Sequence, residues 1–189
     1  RYGTNGEAPA VALAPATVEE AFWLTIRAVD FSERLRTVVM VLGDGLLGLQ
    51  RAVVDLPDYA TITTAQRPRP SGPPSEWRGN YAANGPDEIP PMADFGSPYK
   101  SVVSTVGLFP RGGGDSTVKG LDVDDQDFTI RRLHQKVMAR RDEITLTERL
   151  MTDDADVVFV AWGTQALSAI AAMHDARAMG IRAGVLRLI

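Results

Sequence analysis

The run from Thr17 to Gly48, TVEEAFWLTIRAVDFSERLRTVVMVLGDGLLG, most constrains what this chain can fold into, because it joins a capped amphipathic helix to an apolar strand ending in a glycine turn. A second apolar run, Ala10 to Ala14, lies just upstream. Strand, helix and strand within about thirty residues is the size of one crossover unit. That order predicts parallel strands with the helix on one face. Ligands of open parallel sheets collect beyond the carboxyl ends of the strands, so the turn after Leu42 is the first place to look for chemistry. Thr17 and Glu20 form a capping box that satisfies orphan amides at the helix start, a structural role.

The last third repeats this grammar. Val157 to Trp162 (VVFVAW) reads as a strand and Gly163-Thr164 as its turn. Gln165 to Met179 reads as a helix with Leu167, Ile170 and Met173 on one face, and Ala183 to Ile189 as the next strand. Gly180 stands where a left-handed helix cap is wanted. From Asp122 a basic helix is expected, its apolar stripe made by Phe128, Ile130, Leu133, Val137 and Ile144. Arg131, Arg132, Lys136, Arg140 and Arg141 along it read as a solvated charged face.

Between Asp55 and about Gly120 the pattern dissolves into prolines, with Gly112-Gly113-Gly114 as a flexible bend. Such a stretch reads as a connector that wraps over other surfaces, with Trp77, Tyr81, Phe95 and Tyr99 as packing anchors. The expected fold class is therefore α/β, with two partial parallel-sheet domains joined by a long Pro/Gly-rich connector. The expected divisions are 1–55, connector 56–121, linking helix 122–151 and second domain 152–189.

Composition removes several function classes. A net charge of -4 gives no basic field for nucleic acid phosphates, and no apolar run approaches the ~20 residues that span a bilayer. With no cysteine, the chain carries no disulfide, no thiolate zinc site and no cysteine-ligated iron–sulfur cluster. The chain opens on Arg1 and stops on the apolar run VLRLI, which reads as an internal fragment; no secretory signal is visible, and a cytoplasmic location is expected.

Gly43 to Gly48 satisfies G-x-G-x-x-G directly after a strand. A dinucleotide fingerprint also needs a long following helix, a second strand and an acid about twenty residues on. Pro57 stops any helix early and Thr61 to Pro74 supplies no such strand, so the run reads as a tight strand exit whose glycines permit positive φ, with Asp44 capping the next turn. The acids Asp122, Asp124, Asp125 and Asp127 lack the glycine and glutamate of a calcium loop. His134 and His174 have no acid or thiol at ligand spacing, so no metal site is expected.

Taken together, these segments resemble the α subunit of 2-oxoacid:ferredoxin oxidoreductases, the family of 2-oxoglutarate, pyruvate and branched-chain 2-oxoacid enzymes. GTNGEAPAVALAPATVEEAF is similar to the family pattern of His-Gly-Asp, a strand ending in Leu-Ala-Pro, then Ser/Thr-Val-Gln/Glu-Glu. LGDGLLG resembles the branched-chain type, and HQKVMARRDEI, DADVVFVAWGTQALSAI and ARAMGIRAGVLRLI resemble the basic helix and the start of the second domain. Where the family has His-Gly-Asp, this chain reads Asn5-Gly6-Glu7, which keeps polarity without an imidazole.

The resemblance implies the end of a pyrimidine-type thiamine diphosphate domain followed by the start of a transketolase-C-terminal-like domain. It implies oxidative decarboxylation of a 2-oxoacid to an acyl-CoA, with thiamine diphosphate and Mg2+ shared with a β subunit. Coenzyme A would be the co-substrate, an iron–sulfur cluster would sit on a partner chain, and ferredoxin would accept the electrons. The family's activating glutamate is expected upstream of Arg1, so no catalytic residue is carried over. Strand-exit residues are the candidates for cofactor or interface contact: Asn5, Gly6 and Glu7, then Asp44 and Gly45, then Gly163 and Thr164. Two other readings are a nucleotide-binding Rossmann module at Gly43 to Gly48 and a non-catalytic module that only holds other subunits.

Overall fold

The computed structural model describes residues 9–100 and 123–189. The chain divides into two units: one takes in Phe31–Val38 and Ala65–Arg141 with the chain's start, the other Val11–Asp30, Val39–Thr64 and Asp142–Ile189. The expected strand, helix and strand are present as β1 (Ala10–Leu13), α1 (Val18–Leu35) and β2 (Val38–Val41). β1 and β2 are neighbours in a two-stranded parallel sheet, and the Leu42 amide extends the pairing by donating to the Leu13 carbonyl at 2.8 Å.

Helix α1 forms because Leu24, Ala28, Phe31 and Leu35 recur on one face, all below a tenth exposed. Its start is capped as read from the sequence: the Glu20 amide donates to Thr17 Oγ1 at 3.1 Å. The returning Glu20 carboxylate takes the Ala16 amide at 2.8 Å. After β2 comes α2 (Gly45–Leu49), then a long segment whose described residues are irregular apart from short 3-10 turns at Tyr59–Thr61 and Pro74–Glu76.

This segment follows the connector reading in being irregular, yet part of it is interior. Asn80, Ala82, Ala83 and Ala93 are buried, and Asn80 Oδ1 accepts the Ala93 amide at 2.9 Å. Trp77 and Tyr99 stack edge to face at 5.7 Å, and Tyr81 lies under the Arg36 guanidinium. Phe95, expected as an anchor, is instead 75% exposed. The bend at Gly112 to Gly114 lies outside the described residues.

The basic helix α3 runs Val123–Met138, followed by α4 (Arg141–Ile144). Helix was expected through residue 151, but Thr147–Leu150 is a strand, β3. It pairs antiparallel with β5 (Ala183–Leu188), which pairs parallel with β4 (Val157–Trp162), giving the order β3-β5-β4. The second sheet is therefore mixed. Four residues are too few for a period-2 pattern to show against a helical one, and hydrogen bonding to β5 decides the outcome.

Helix α5 (Gln165–Ala178) crosses between β4 and β5 and packs Met173 against Ala183 and Val185. Ala169, Ile170 and Leu150 border that cluster, whereas Leu167, expected on the same face, is 43% exposed and Ala166 is buried in its place. Gly180 has φ +85, and the bonds Gly180 N to Arg177 O and Ile181 N to Ala176 O close the expected left-handed cap. Gly184, in the central strand, has no room for a side chain: a Cβ there would lie 2.7 Å from the Met151 carbonyl oxygen.

Candidate functional site

Two strand exits of the second unit meet at Asp44. This residue caps α2, its Oδ1 accepting the Leu47 amide at 2.8 Å. Its Oδ2 accepts from Thr164 twice, from Oγ1 at 2.6 Å and from the backbone amide at 3.1 Å. Thr164 is 4% exposed. Gly163 before it has φ +57, and a Cβ there would stand 3.3 Å from Asp44 Oδ2 and 3.8 Å from the Pro15 carbonyl. A left-handed, side-chain-free residue is what lets the Thr164 amide and hydroxyl turn together toward one carboxylate oxygen.

Thus Asp44, Gly163 and Thr164, picked separately from the sequence as strand-exit residues, form one cluster. Gly45 is the first residue of α2, and nothing lies within 4 Å of a Cβ placed on it. Asn5, Gly6 and Glu7 lie outside the described residues. The Thr164 hydroxyl, then the Leu47 amide, hold the Asp44 carboxyl below the usual carboxylate range. With both oxygens engaged and the group anionic, the cluster works as a clasp between two βα turns. It does not fit a diphosphate, which it would repel.

The glycines of the G-x-G-x-x-G match correct an expectation. None of Gly43, Gly45 and Gly48 has positive φ. A five-residue helix follows the turn, and no strand follows before β3 among the described residues. The geometry of a dinucleotide turn is absent there. The Asp44 cap stands as expected.

The sequence reading missed two sets of residues. The first is Arg187 on β5, 6% exposed, which pairs with Glu20 at the start of α1 and with Glu148 of β3 at 3.2 Å. Burial alone would raise the Glu20 carboxyl; the Arg187 hydrogen bond and charge outweigh it and hold the carboxyl below its ordinary value. Arg187 Nε has no hydrogen-bond partner among the described residues. A charge alternating into an apolar strand was the available signal, since a buried arginine requires a carboxylate.

The second set lies on α3, where the charged face is not wholly solvated. Arg132 and Lys136 are 4% and 2% exposed. Arg132 donates to the Glu88 carbonyl at 3.0 Å and Lys136 Nζ to the Arg36 carbonyl at 2.6 Å, because irregular coil at Glu88 and the end of α1 at Arg36 leave carbonyls that no ladder satisfies. Arg36 itself donates through Nη1 to the carbonyls of Asn80, Pro90 and Pro91. His134 and His174 are exposed, and among the described residues no three His, Cys, Asp or Glu side chains group to hold a metal.

Residues 3–100 match the family described as "Pyruvate flavodoxin/ferredoxin oxidoreductase, thiamine diP-bdg". The chain belongs to this family. Over its whole length it is 32% identical to the 2-oxoglutarate synthase subunit KorA of Methanothermobacter thermautotrophicus, covering 48% of that protein. Over 99% of its length it is 27% identical to the ketoisovalerate oxidoreductase subunit VorB of Methanothermobacter marburgensis, covering 44% of it. The chain thus spans about half the length of the curated relatives it matches. Its fold is that of part of a 2-oxoglutarate:ferredoxin oxidoreductase from Magnetococcus marinus, solved with 2-oxoglutarate, coenzyme A and succinyl-CoA bound. That match has a TM-score of 0.80 at 21% identity and covers 98% of this chain and 32% of the other. Membership of this family agrees with the α/β fold; among the described residues no helix is long and apolar enough to cross a membrane.

Proposed function

We propose that this chain is part of an α-type subunit of a thiamine diphosphate-dependent 2-oxoacid:ferredoxin oxidoreductase. The reaction is oxidative decarboxylation of a 2-oxoacid to its acyl-CoA, with 2-oxoglutarate the first substrate to test. The observation that carries this reading is the 32% identity to a 2-oxoglutarate synthase subunit across the whole chain, against 27% to the ketoisovalerate subunit. In this reading 1–55 ends the pyrimidine-type cofactor domain, 56–121 is connector, 122–151 links and contributes β3 to the sheet that follows, and 152–189 begins the transketolase-C-terminal-like domain.

Thiamine diphosphate, when bound, supplies the electron sink that decarboxylation of a 2-oxoacid needs. In this reading a β subunit would hold the diphosphate and Mg2+, an iron–sulfur cluster on a partner chain would supply the route for electrons to ferredoxin, and coenzyme A would be the acyl acceptor. The residues of this chain set geometry. Asp44 and Thr164 lock two strand exits, and Asn5, Gly6 and Glu7, Gly45 and Gly163 are proposed as further cofactor or interface contacts. Alone, the chain is expected to be inactive.

The test is anaerobic viologen reduction by the full-length subunit co-expressed with its β partner. Several 2-oxoacids are supplied with and without coenzyme A and thiamine diphosphate. Reduction with 2-oxoglutarate that needs both additions is expected. No reduction with any 2-oxoacid by an assembled, cofactor-loaded complex would overturn the reading.

A further inference from the structure

The first unit holds a cavity of about 350 Å³ that no part of the oxidoreductase reading uses. Ser32, Glu33, Arg36, Thr37, Arg67 and Lys136 line it together with apolar side chains. Its volume is at the small end of the range for ligand sites. Its charge is unbalanced, because three cations face one carboxylate. That carboxylate is already taken: Arg67 holds Glu33 through Nε and Nη2, both at 2.6 Å.

Lys136 is the anomaly. It is 2% exposed, and among the described residues its hydrogen bond is to the Arg36 carbonyl, which leaves two of three ammonium donors. Among the described residues the charged groups that act on it are cationic: Arg132 on its own helix, Arg140 just beyond it, and Arg36 at the end of α1. An ion buried among like charges without a counter-ion is strongly disfavoured. An oxyanion in the cavity removes that cost by accepting from Nζ and offsetting the cationic field.

We propose that this cavity binds a small oxyanion, a carboxylate or a phosphate, with Lys136 as its principal charged donor and the Arg36 guanidinium as the neighbouring positive charge. The small volume excludes large polyanions, while the apolar part of the lining suits a short organic body. In the fold the Lys136 ammonium is depressed to about 7, first by burial and then by Arg132, Arg36 and Arg140. An anion beside Nζ reverses this, so binding at pH 8 takes up a proton.

The experiment is calorimetric titration of the full-length protein in its native assembly with inorganic phosphate and, separately, with succinate. Each titration is run at pH 8 in two buffers of different ionisation enthalpy. Expected are saturable binding of one of the two anions, net proton uptake, and weakening by about tenfold or more in Lys136→Met. Phosphate alone binding assigns the site to phosphates; succinate alone assigns it to carboxylates. Should Lys136→Met fail to fold, wild-type protein with ¹³C-labelled lysine serves instead, where the Lys136 Cε signal moves on anion addition. Absence of binding by both anions, binding without proton uptake, or an unmoved Lys136 signal would overturn the proposal. Binding is read rather than turnover, so the result is independent of the oxidoreductase assay.

Discussion

Thr164 donates both its hydroxyl, at 2.6 Å, and its backbone amide, at 3.1 Å, to a single oxygen of Asp44, 120 positions away in the sequence. Two βα turns from different sheets are tied by one carboxylate. This makes Asp44 the cap of α2 and the acceptor for the start of α5 at once.

In Thr164→Val the Asp44 carboxyl loses its largest stabilising contact, so its pKa is expected to rise toward the ordinary carboxylate value. Because the folded value is depressed, the clasp contributes above the unfolded carboxylate range and is lost as pH falls through the folded value. Carboxyl ¹³C NMR titration of the wild type and variant measures this. An unchanged Asp44 titration would show that the contact is not made in solution.

Gly184 and Gly48 are expected to respond in opposite senses to alanine. At Gly184 the new Cβ would meet the Met151 carbonyl at 2.7 Å and Ala155 at 3.1 Å, so Gly184→Ala is expected to cost about 1–3 kcal/mol. At Gly48 nothing lies within 4 Å and φ is not positive, so Gly48→Ala is expected to be neutral or stabilising by up to about 1 kcal/mol. Urea denaturation decides both. A large loss at Gly48 would point to a need for glycine that the backbone does not explain.

Removing the charge of Glu20 leaves buried Arg187 with only Glu148, at 3.2 Å. Glu20→Gln is expected to destabilise by about 2–4 kcal/mol, more than an exposed pair would. The Glu20 carboxyl is depressed in the fold, so this contribution is present above the unfolded carboxylate value and disappears as pH falls through the folded one. Denaturation at neutral and acid pH, with the Glu20→Gln and Arg187→Met double-mutant cycle, checks size and sign. A coupling near zero would rule the pairing out.

Lys136 binds its proton more weakly folded, at about 7, than unfolded. Between about 7 and the unfolded lysine value the unfolded chain carries the extra proton, so stability rises with pH across that window. Lys136→Met is expected to flatten the rise in anion-free buffer and to add a few kcal/mol, to order of magnitude, at pH 7 and below. Denaturation midpoints between pH 6 and pH 10 report it, and an equally steep wild-type and variant profile would contradict it.

Much of the fold was legible in local pattern. The α1 stripe, its Thr17 cap, the Gly180 cap and the paired βαβ grammar all rest on interactions within a few residues, which sequence spacing displays directly. β3 was not legible, because a four-residue strand is made by its neighbour β5 and not by its own periodicity. The glycines at Gly43 to Gly48 misled for a related reason: a motif shows which backbone shapes are permitted, whereas the turn adopted leaves all three at ordinary φ.

The candidate site divides in the same way. Strand exits could be listed from the sequence by the crevice rule, and Asp44, Gly163 and Thr164 were named there one by one. That Asp44 and Thr164 share an oxygen, that Arg187 needs Glu20, and that Lys136 is enclosed among arginines were decided only when distant segments packed. Local hydrogen bonding and hydrophobic period are carried by neighbouring residues. Burial and charge balance belong to the enclosed volume, and the volume exists only in the tertiary fold.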